Sequence, residues 1–588
     1  MHPLAAGPTH DDGHHGGDVA PAASDELEPR PRRLRIDGWA ATLAVVLSAF
    51  SVLGASYAAG DNAEWFAGSA GTLIGSLFAI ALLATLLYVG LAALFRLLDR
   101  SWDRGPRDVV VPMRAAVRSW MWPSLGLILA GWLPWLIIHY PGAVDSDTIT
   151  QRIEWLGMSP AKNHHPWFDT TVFGWFWDLG DALGSPNLGL FAYLLVQEVA
   201  TAAGIALGIA YLARLGLPRG LRWALTLIAA TFPAFVIAPS VMSKDAFAII
   251  FWMPALILFV EIVRTRGAVL TRRWVIVVAV VIVIPLVLAK RTNGYLLLIC
   301  VVVLAFVVVR RIRWRMLAGA AAMLIVTNVV WPMAVLPALG VASATSADMM
   351  TIPVQQTARI VAEHGDEIPA DEREAIDAML RYDGLAEAYV PRRSDNVKAR
   401  WNADAPLEQK LDYLGVWLAQ VVRYPGTALS ATAANTFEYF APVTSVSLQR
   451  TLELDRYVDH WANKTYDEFS REDVEAVTID ALGSPAALDD ARATTNALYT
   501  TFSEGNPLMS KALFSSWIPL IALAYALRRR SVLHVIATVP LFVNLAFLVA
   551  GPIALGRYLL PSIIATVFAV GLMAIPVSRT RPDRRGSA

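Results

Sequence analysis

Twelve stretches of this chain run for about 20 predominantly apolar residues, the length a helix needs to cross the hydrocarbon core of a bilayer. They lie near 37–59, 69–95, 119–139, 188–213, 223–242, 246–263, 274–289, 294–309, 316–338, 510–527, 531–550 and 558–577. With 56% hydrophobic and only 17% charged residues among 588, the bilayer has to be the solvent for much of the chain. The expected fold is therefore an all-α polytopic membrane protein of about 12 transmembrane helices. Residues Lys290 to Asn293 separate two windows that nearly touch. They read as a tight re-entrant turn, because a Lys-Arg pair in mid-membrane is expensive.

Basic residues orient the spans. Arg96 to Arg118, Arg214 to Arg222, Arg264 to Arg273, Arg310 to Arg315 and Arg528 to Arg530 follow alternate windows, and Arg30 to Arg35 and Arg579 to Arg585 flank the first and last. That side is expected to be cytoplasmic, which puts both termini inside a cytoplasmic (inner) membrane protein. Residues 1–35 are polar and Pro-, Gly- and His-rich, so they read as a disordered cytoplasmic tail rather than a signal peptide, and 578–588 as a second tail. The cluster His10, Asp11, Asp12, His14 and His15 has metal-donor types but no apolar residues to fix a geometry. Spans 1–9 fall in 36–338 and spans 10–12 in 510–577, leaving two long outer segments: a loop, 140–187, and a mainly helical extracytoplasmic domain, 339–509. Charged stretches 369–382 and 406–423 are expected helices of that domain. Trp417, Tyr424, Phe437, Tyr439 and Phe440 read as its small core, with a place on the membrane interface as the alternative.

The lone cysteine, Cys300, excludes an intrachain disulfide, and 49 basic against 49 acidic residues imply no attraction to nucleic acid. No internal repeat of the kind that builds paired-half transporters is visible.

Polar groups at span ends on the outer side are where chemistry is expected. After the third span comes Tyr140-Pro-Gly-Ala-Val-Asp145-Ser-Asp147-Thr148, where Pro141-Gly142 ends one helix and Asp147 and Gln151 share a face of the next. Asp147 would sit in that helix's first turn, where capping is an alternative role. Asn163-His164-His165-Pro166 precedes an aromatic stretch to Trp177 that suggests a helix lying in the interface. Ser243-Lys244-Asp245, Lys290-Arg291-Thr292-Asn293-Gly294 and Gly556-Arg557-Tyr558 complete the set. Each cation alone reads equally well as a snorkelling side chain at a membrane boundary. Together, two acidic and three cationic sites at one face form a pattern that suits a docked phosphate.

In order, Pro141-Gly142, Asp147-Thr148-Ile149-Thr150-Gln151, His164-His165-Pro166 with Thr170, Lys244-Asp245, Arg291-Thr292-Asn293-Gly294 and Arg557-Tyr558 resemble a GT-C membrane glycosyltransferase of the protein-mannosyltransferase and aminoarabinose-transferase kind, closest to a poorly characterised bacterial branch. The resemblance covers 140 to about 310 and the last span. It implies a GT-C-like bundle that moves a sugar, with inversion, from a polyprenyl-phosphate donor to a cell-envelope glycan, lipid or protein acceptor. Asp147, or else Asp145, would be the catalytic carboxylate and general base, and Asp245 the second acidic site. Arg291, Arg557 and Lys244 would contact the donor phosphate, with Lys290 in reserve, and Gln151, His164, His165, Asn293 and Tyr558 would complete the substrate site. Better-known members carry adjacent Asp-Glu and His-Pro-Pro where this chain has Asp-Ser-Asp and His-Pro-Trp, so both Asp145 and Asp147 stay in contention. Asp245 would orient a cation or join a divalent metal with Asp147; no other cofactor is implied. Membrane lipids surround the whole. The competing expectation is a transporter or flippase of a lipid-linked saccharide, whose charges should lie near the bilayer midplane on broken helices; the span interiors are largely free of charge, Glu198 and, near the end of its span, Glu261 being exceptions, which favours the enzyme.

Overall fold

The computed structural model describes residues 36–104, 111–342, 349–450, 454 and 457–576. Both expected tails, with the His10–His15 cluster and the Arg30–Arg35 and Arg579–Arg585 cations, lie outside the described residues. The described residues from Gly38 onward form one compact helical unit. Among the described residues, its one sheet pairs the two-residue strands Ala143–Val144 and Val241–Met242 in parallel.

Among the described residues, eight helices are long and apolar enough to cross a membrane: Gly38–Gly60, Ala70–Trp102, Met113–Ile138, Pro186–Arg214, Lys244–Thr265, Arg310–Ala338, Val532–Val549 and Gly556–Met573. Twelve were expected. The other four windows are helical, but one is a pair, Arg219–Thr231 and Pro233–Ser240, bent by 59°, and three are shorter: Arg273–Ala289, Thr292–Val307 and Leu513–Arg528. Proline accounts for the bend, since Pro233 lacks the N–H that would continue the helix. Lys290 and Arg291 do break the 274–309 region into two helices packed on each other, as the cost of burying them predicts.

The spans pack through small residues that let backbones approach, such as Ala40 and Ala44 against Ala84 and Ala92, and Ala202 and Ala206 on Pro186–Arg214. Trp132 Nε1 donates to the Ala229 carbonyl (2.8 Å) and Ser124 pairs with Thr226 (3.1 Å), tying neighbouring helices. Glu261 is neutralised by both nitrogens of the Arg264 fork (2.8 and 2.7 Å) and by the Tyr211 hydroxyl (2.7 Å). Glu198 is buried, and one carboxylate oxygen makes no hydrogen bond among the described residues.

The expected helices appear as Ala370–Leu380 and Leu407–Arg423. Their core is Val354, Ala358, Ile376, Met379, Trp401 and Tyr413. The aromatic residues singled out from sequence divide differently. Trp417 and Tyr424 are half-buried, whereas Phe437 packs on Tyr57 (6.3 Å between centroids), Phe440 on Phe50 (5.2 Å), and Tyr439 joins the core of the bundle. Tyr424 packs against the domain core as expected, whereas Phe437 and Phe440 anchor the segment to the first span. A further part of the same segment, with Val458, Trp461, Val474 and Leu482, shares a core with Ile149, Ile153, Phe173 and Trp177 of the 140–187 loop. Buried Phe173 and Trp177 thus face protein on a helix, Trp167–Ala182, whose other side exposes Trp175.

Candidate functional site

Local chemistry first brings two distant loops together. Gly142 has φ +117°, open to glycine but strained for other residues, and a Cβ there would lie 1.9 Å from Leu194 Cδ1. The chain then enters the Ala143–Val144 strand, paired with Val241–Met242, and the Thr148 hydroxyl donates to the Met242 carbonyl (2.9 Å). Two helices start directly beyond the paired strands. Asp145 caps one by accepting from the Asp147 N–H (3.1 Å), and Ser243 caps the other by accepting from the Ala246 N–H (3.2 Å). The capping role open to Asp147 therefore falls to Asp145. Asp147 sits in the first turn of Ser146–Trp155, and Lys244 and Asp245 in the first turn of Lys244–Thr265.

Three carboxylates meet three cations there. Arg557 contacts all three acids: Asp145 through Nη1, Asp147 through Nη2 (3.0 Å), and Asp245 through Nε at 3.6 Å, an ion pair without a hydrogen bond. Lys244 Nζ reaches Asp147 Oδ2 at 3.1 Å, and Lys290 Nζ reaches Asp245 Oδ1 at 2.5 Å. The ring of Tyr558 lies 5.0 Å from Lys290 Nζ and 5.5 Å from the Arg557 guanidinium carbon. Asp245 is fully buried, while 26% of the Asp147 side chain stays accessible, so Asp147 is the acid that an incoming molecule can touch.

The remaining expected residues sit around this knot. His165 Nδ1 accepts from Lys244 Nζ (3.2 Å), and His164 stacks edge-on against it, exposed. Arg291 donates to the Asn163 carbonyl and so anchors the histidine loop, whereas Lys290, expected only as a reserve, is the cation within the cluster. Asn293 donates to the Leu286 carbonyl (2.9 Å), closing the turn between two helices. Gln151 donates to Thr170 (2.8 Å), one helical turn beyond Asp147.

Burial pushes the Asp147 carboxyl up, but Lys244 first and then Arg557 outweigh it and hold the group well below the usual carboxylate range. Burial, with Lys244 beside it, pushes His165 well below its ordinary value, so it is a neutral acceptor. Asp169, fully buried with no hydrogen bond to either carboxyl oxygen among the described residues, is pushed well above its ordinary value and is held as the neutral acid. All three carboxylates are turned onto one guanidinium, and among the described residues no three His, Cys, Asp or Glu side chains are grouped to hold a metal.

Several residues that steady the site escaped the sequence reading. Lys511 Nζ donates to the Ala554 carbonyl (2.6 Å) and pairs with Glu438, and the Ser394 N–H donates to Pro552 (2.9 Å), so the 394–511 region grips the turn that carries Arg557. Gln449 Nε2 donates to the Val144 carbonyl (2.5 Å). Lys511 alone left a signal, as a cation at the start of an apolar window. At Gly556 a Cβ would fall 2.1 Å from the Ser447 carbonyl oxygen. Gly556→Ala is therefore expected to lower the melting temperature of the purified protein and, by displacing Arg557, activity with it; an unchanged melting temperature would show that this close approach does not matter.

Glu154 lies on the same helix as Asp147. Burial pushes its carboxyl up to about 7 from 4.5, against the Lys162 N–H and the charges of Lys162 and Lys464. A raised carboxyl stabilises the fold relative to the unfolded chain below pH 4.5 and loses that contribution as pH rises to about 7. At about 1.4 kcal/mol per unit, the loss is on the order of 3 kcal/mol. Glu154→Gln should flatten the decline of melting temperature over that window; an identical decline in the variant would assign it to another group.

A family model described as a family of unknown function (DUF6020) matches residues 158–587. No curated protein and no solved structure matches the chain.

Proposed function

For this chain, which belongs to the DUF6020 family of unknown function, we propose an activity on the strength of the site itself: transfer of a sugar from a polyprenyl-phosphate donor to a hydroxyl of a cell-envelope acceptor. The observation that carries this reading is the meeting of Asp145, Asp147 and Asp245 with Lys244, Lys290 and Arg557, drawn from four distant segments and set at helix starts. Three charges of each sign cancel, so the free site is a closed knot that an anionic group can open by competing for the cations.

The acceptor oxygen forms a bond to the anomeric carbon while the bond from that carbon to the donor phosphate oxygen breaks, with inversion. The acceptor hydroxyl proton passes to Asp147, and the bonding electrons leave with the lipid phosphate, whose charge Arg557, Lys244 and Lys290 offset. Asp147 held well below the usual range is a weak base. When the donor phosphate draws Lys244 and Arg557 to itself, the carboxylate loses the partners that depress it and its basicity rises at the step that needs it. Asp245 orients Arg557 and Lys290 from below, and neutral His165 steadies Lys244.

The bent pair and the three shorter helices fit as further insertions, giving twelve spans with both termini on the Arg-rich, cytoplasmic side. The charge knot and residues 339–509 then belong to the outer side of the inner membrane, as in a GT-C enzyme, with 339–509 recognising the acceptor. Glu198, buried within a span and incompletely bonded, is what favours the transporter alternative. Liposomes carrying the purified chain, a labelled polyprenyl-phosphate sugar and an extract of envelope glycans and lipids separate the two. Label should move covalently onto the acceptor; label that crosses the bilayer still attached to its lipid would overturn the transfer reading.

A further inference from the structure

Four helices, Lys244–Thr265, Arg273–Ala289, Thr292–Val307 and Arg310–Ala338, leave between them a cleft of about 420 Å³, inside the roughly 300–1,000 Å³ range of ligand pockets. Ile276, Ala279, Val283 and Leu286 form one wall at helical spacing, and Leu296, Cys300 and Leu304 form another. From Arg273 to Leu286 the wall is about 20 Å long at 1.5 Å per residue, more than half of a hydrocarbon core about 30 Å thick. Ile276 is 49% exposed, so the cleft opens sideways to the surroundings of the spans.

The two ends differ. Arg273 and Arg315 line one end, and neither makes an ion pair or a side-chain hydrogen bond among the described residues. Asn293 closes the other, next to a turn whose cations are engaged, Lys290 by Asp245 and Arg291 by the Asn163 carbonyl. A dry apolar cleft facing hydrocarbon is filled by a chain of the same chemistry, and two guanidinium groups at one mouth select what that chain carries, because each matches a phosphate in two-point geometry. A tail hanging from the Asp147 site would enter from the opposite end and leave Arg273 and Arg315 without a counterion.

We infer that this cleft binds an anionic glycerophospholipid of the leaflet on the Arg-rich side, its phosphate between Arg273 and Arg315 and one acyl chain running along the cleft towards Asn293. The bound chain braces the Lys290–Asn293 turn, which carries one cation of the charge knot. The lipid site does not depend on sugar transfer, so neither can fail through the other.

Native mass spectrometry of the full chain in detergent, titrated with phosphatidylglycerol, phosphatidylcholine and undecaprenyl monophosphate, tests it. Phosphatidylglycerol should bind saturably at one site, at least tenfold tighter than phosphatidylcholine. The Arg273→Ala/Arg315→Ala variant should lose that tenfold preference, and Ala320→Trp, which fills the cleft, should lose saturable binding while the melting temperature without lipid reports whether it folds. An unchanged preference in the arginine variant, or saturable binding by folded Ala320→Trp, would overturn the proposal. Undecaprenyl monophosphate displacing phosphatidylglycerol at tenfold lower concentration would also overturn it, by assigning the cleft to the lipid of the Asp147 site.

Discussion

Asp147→Asn is expected to cut sugar transfer by two to four orders of magnitude, the contribution typical of a positioned general base, while leaving protein level near that of the wild type. The substitution keeps the size of the side chain and removes its ability to take a proton. It also leaves Lys244 and Arg557 with one carboxylate fewer, but Asp147 is 26% accessible, so water can offset part of that loss and folding should survive. Asp145→Asn is the discriminating partner. Asparagine caps a helix about as well as aspartate, so this variant retains an oxygen to accept from the Asp147 N–H and from Arg557 and loses only the negative charge opposite that guanidinium. Its expected loss is smaller, about tenfold. Initial rates of transfer in membranes check both: full activity in Asp147→Asn removes the proposed base, and a reversed order of the two variants hands the role to Asp145.

Arg557→Ala should fail on two counts. Without the guanidinium, Asp145, Asp147 and Asp245 face only Lys244 and Lys290, leaving one net negative charge in a largely buried place. Breaking a buried pair by deleting one partner costs about 3–5 kcal/mol, which should appear as a large drop in melting temperature. Transfer should fall below detection, because the main cation for the departing phosphate is gone. Arg557→Lys separates the two effects. A lysine restores the charge and much of the stability, but one ammonium cannot span Asp145 and Asp147 as a planar fork does, so transfer should stay at least a hundredfold down. Wild-type transfer by Arg557→Ala in a folded protein would remove phosphate stabilisation from the role of this residue.

Sequence reading located the helices well where a long apolar run ends at a sharp boundary. Pro141-Gly142 acts within a few residues, and the helix expected to end there does so. It overstated the number of full-length spans, because composition does not reveal that Pro233 bends one window or that three others fall short of the usual crossing length. Among the site residues, Asp147, Asp245, Lys244 and Arg557 were legible as rare charges at span ends, and they do meet. Neighbouring positions were not separable in the same way. Which of Asp145 and Asp147 caps the helix, and which of Lys290 and Arg291 faces the acids, depends on rotations of about 100° per residue that only packing sets. Of Phe437, Tyr439 and Phe440, all expected in a domain core, Phe437 and Phe440 instead anchor that segment to the first span and Tyr439 enters the core of the bundle.

By itself the sequence determined that this chain is helical and membrane-embedded and which few charges had no reason to be where they are. Those properties follow from short-range rules, the transfer energy of apolar runs and the cost of placing charge among them, which each segment obeys alone. Tertiary structure alone decided that Arg557, some four hundred residues along the chain from Asp147, closes the knot at 3.0 Å, and that Gln449, Glu438 and Lys511 hold the loops that make it. Contacts between segments so far apart arise from the joint packing of the spans and residues 339–509, and no local pattern records them.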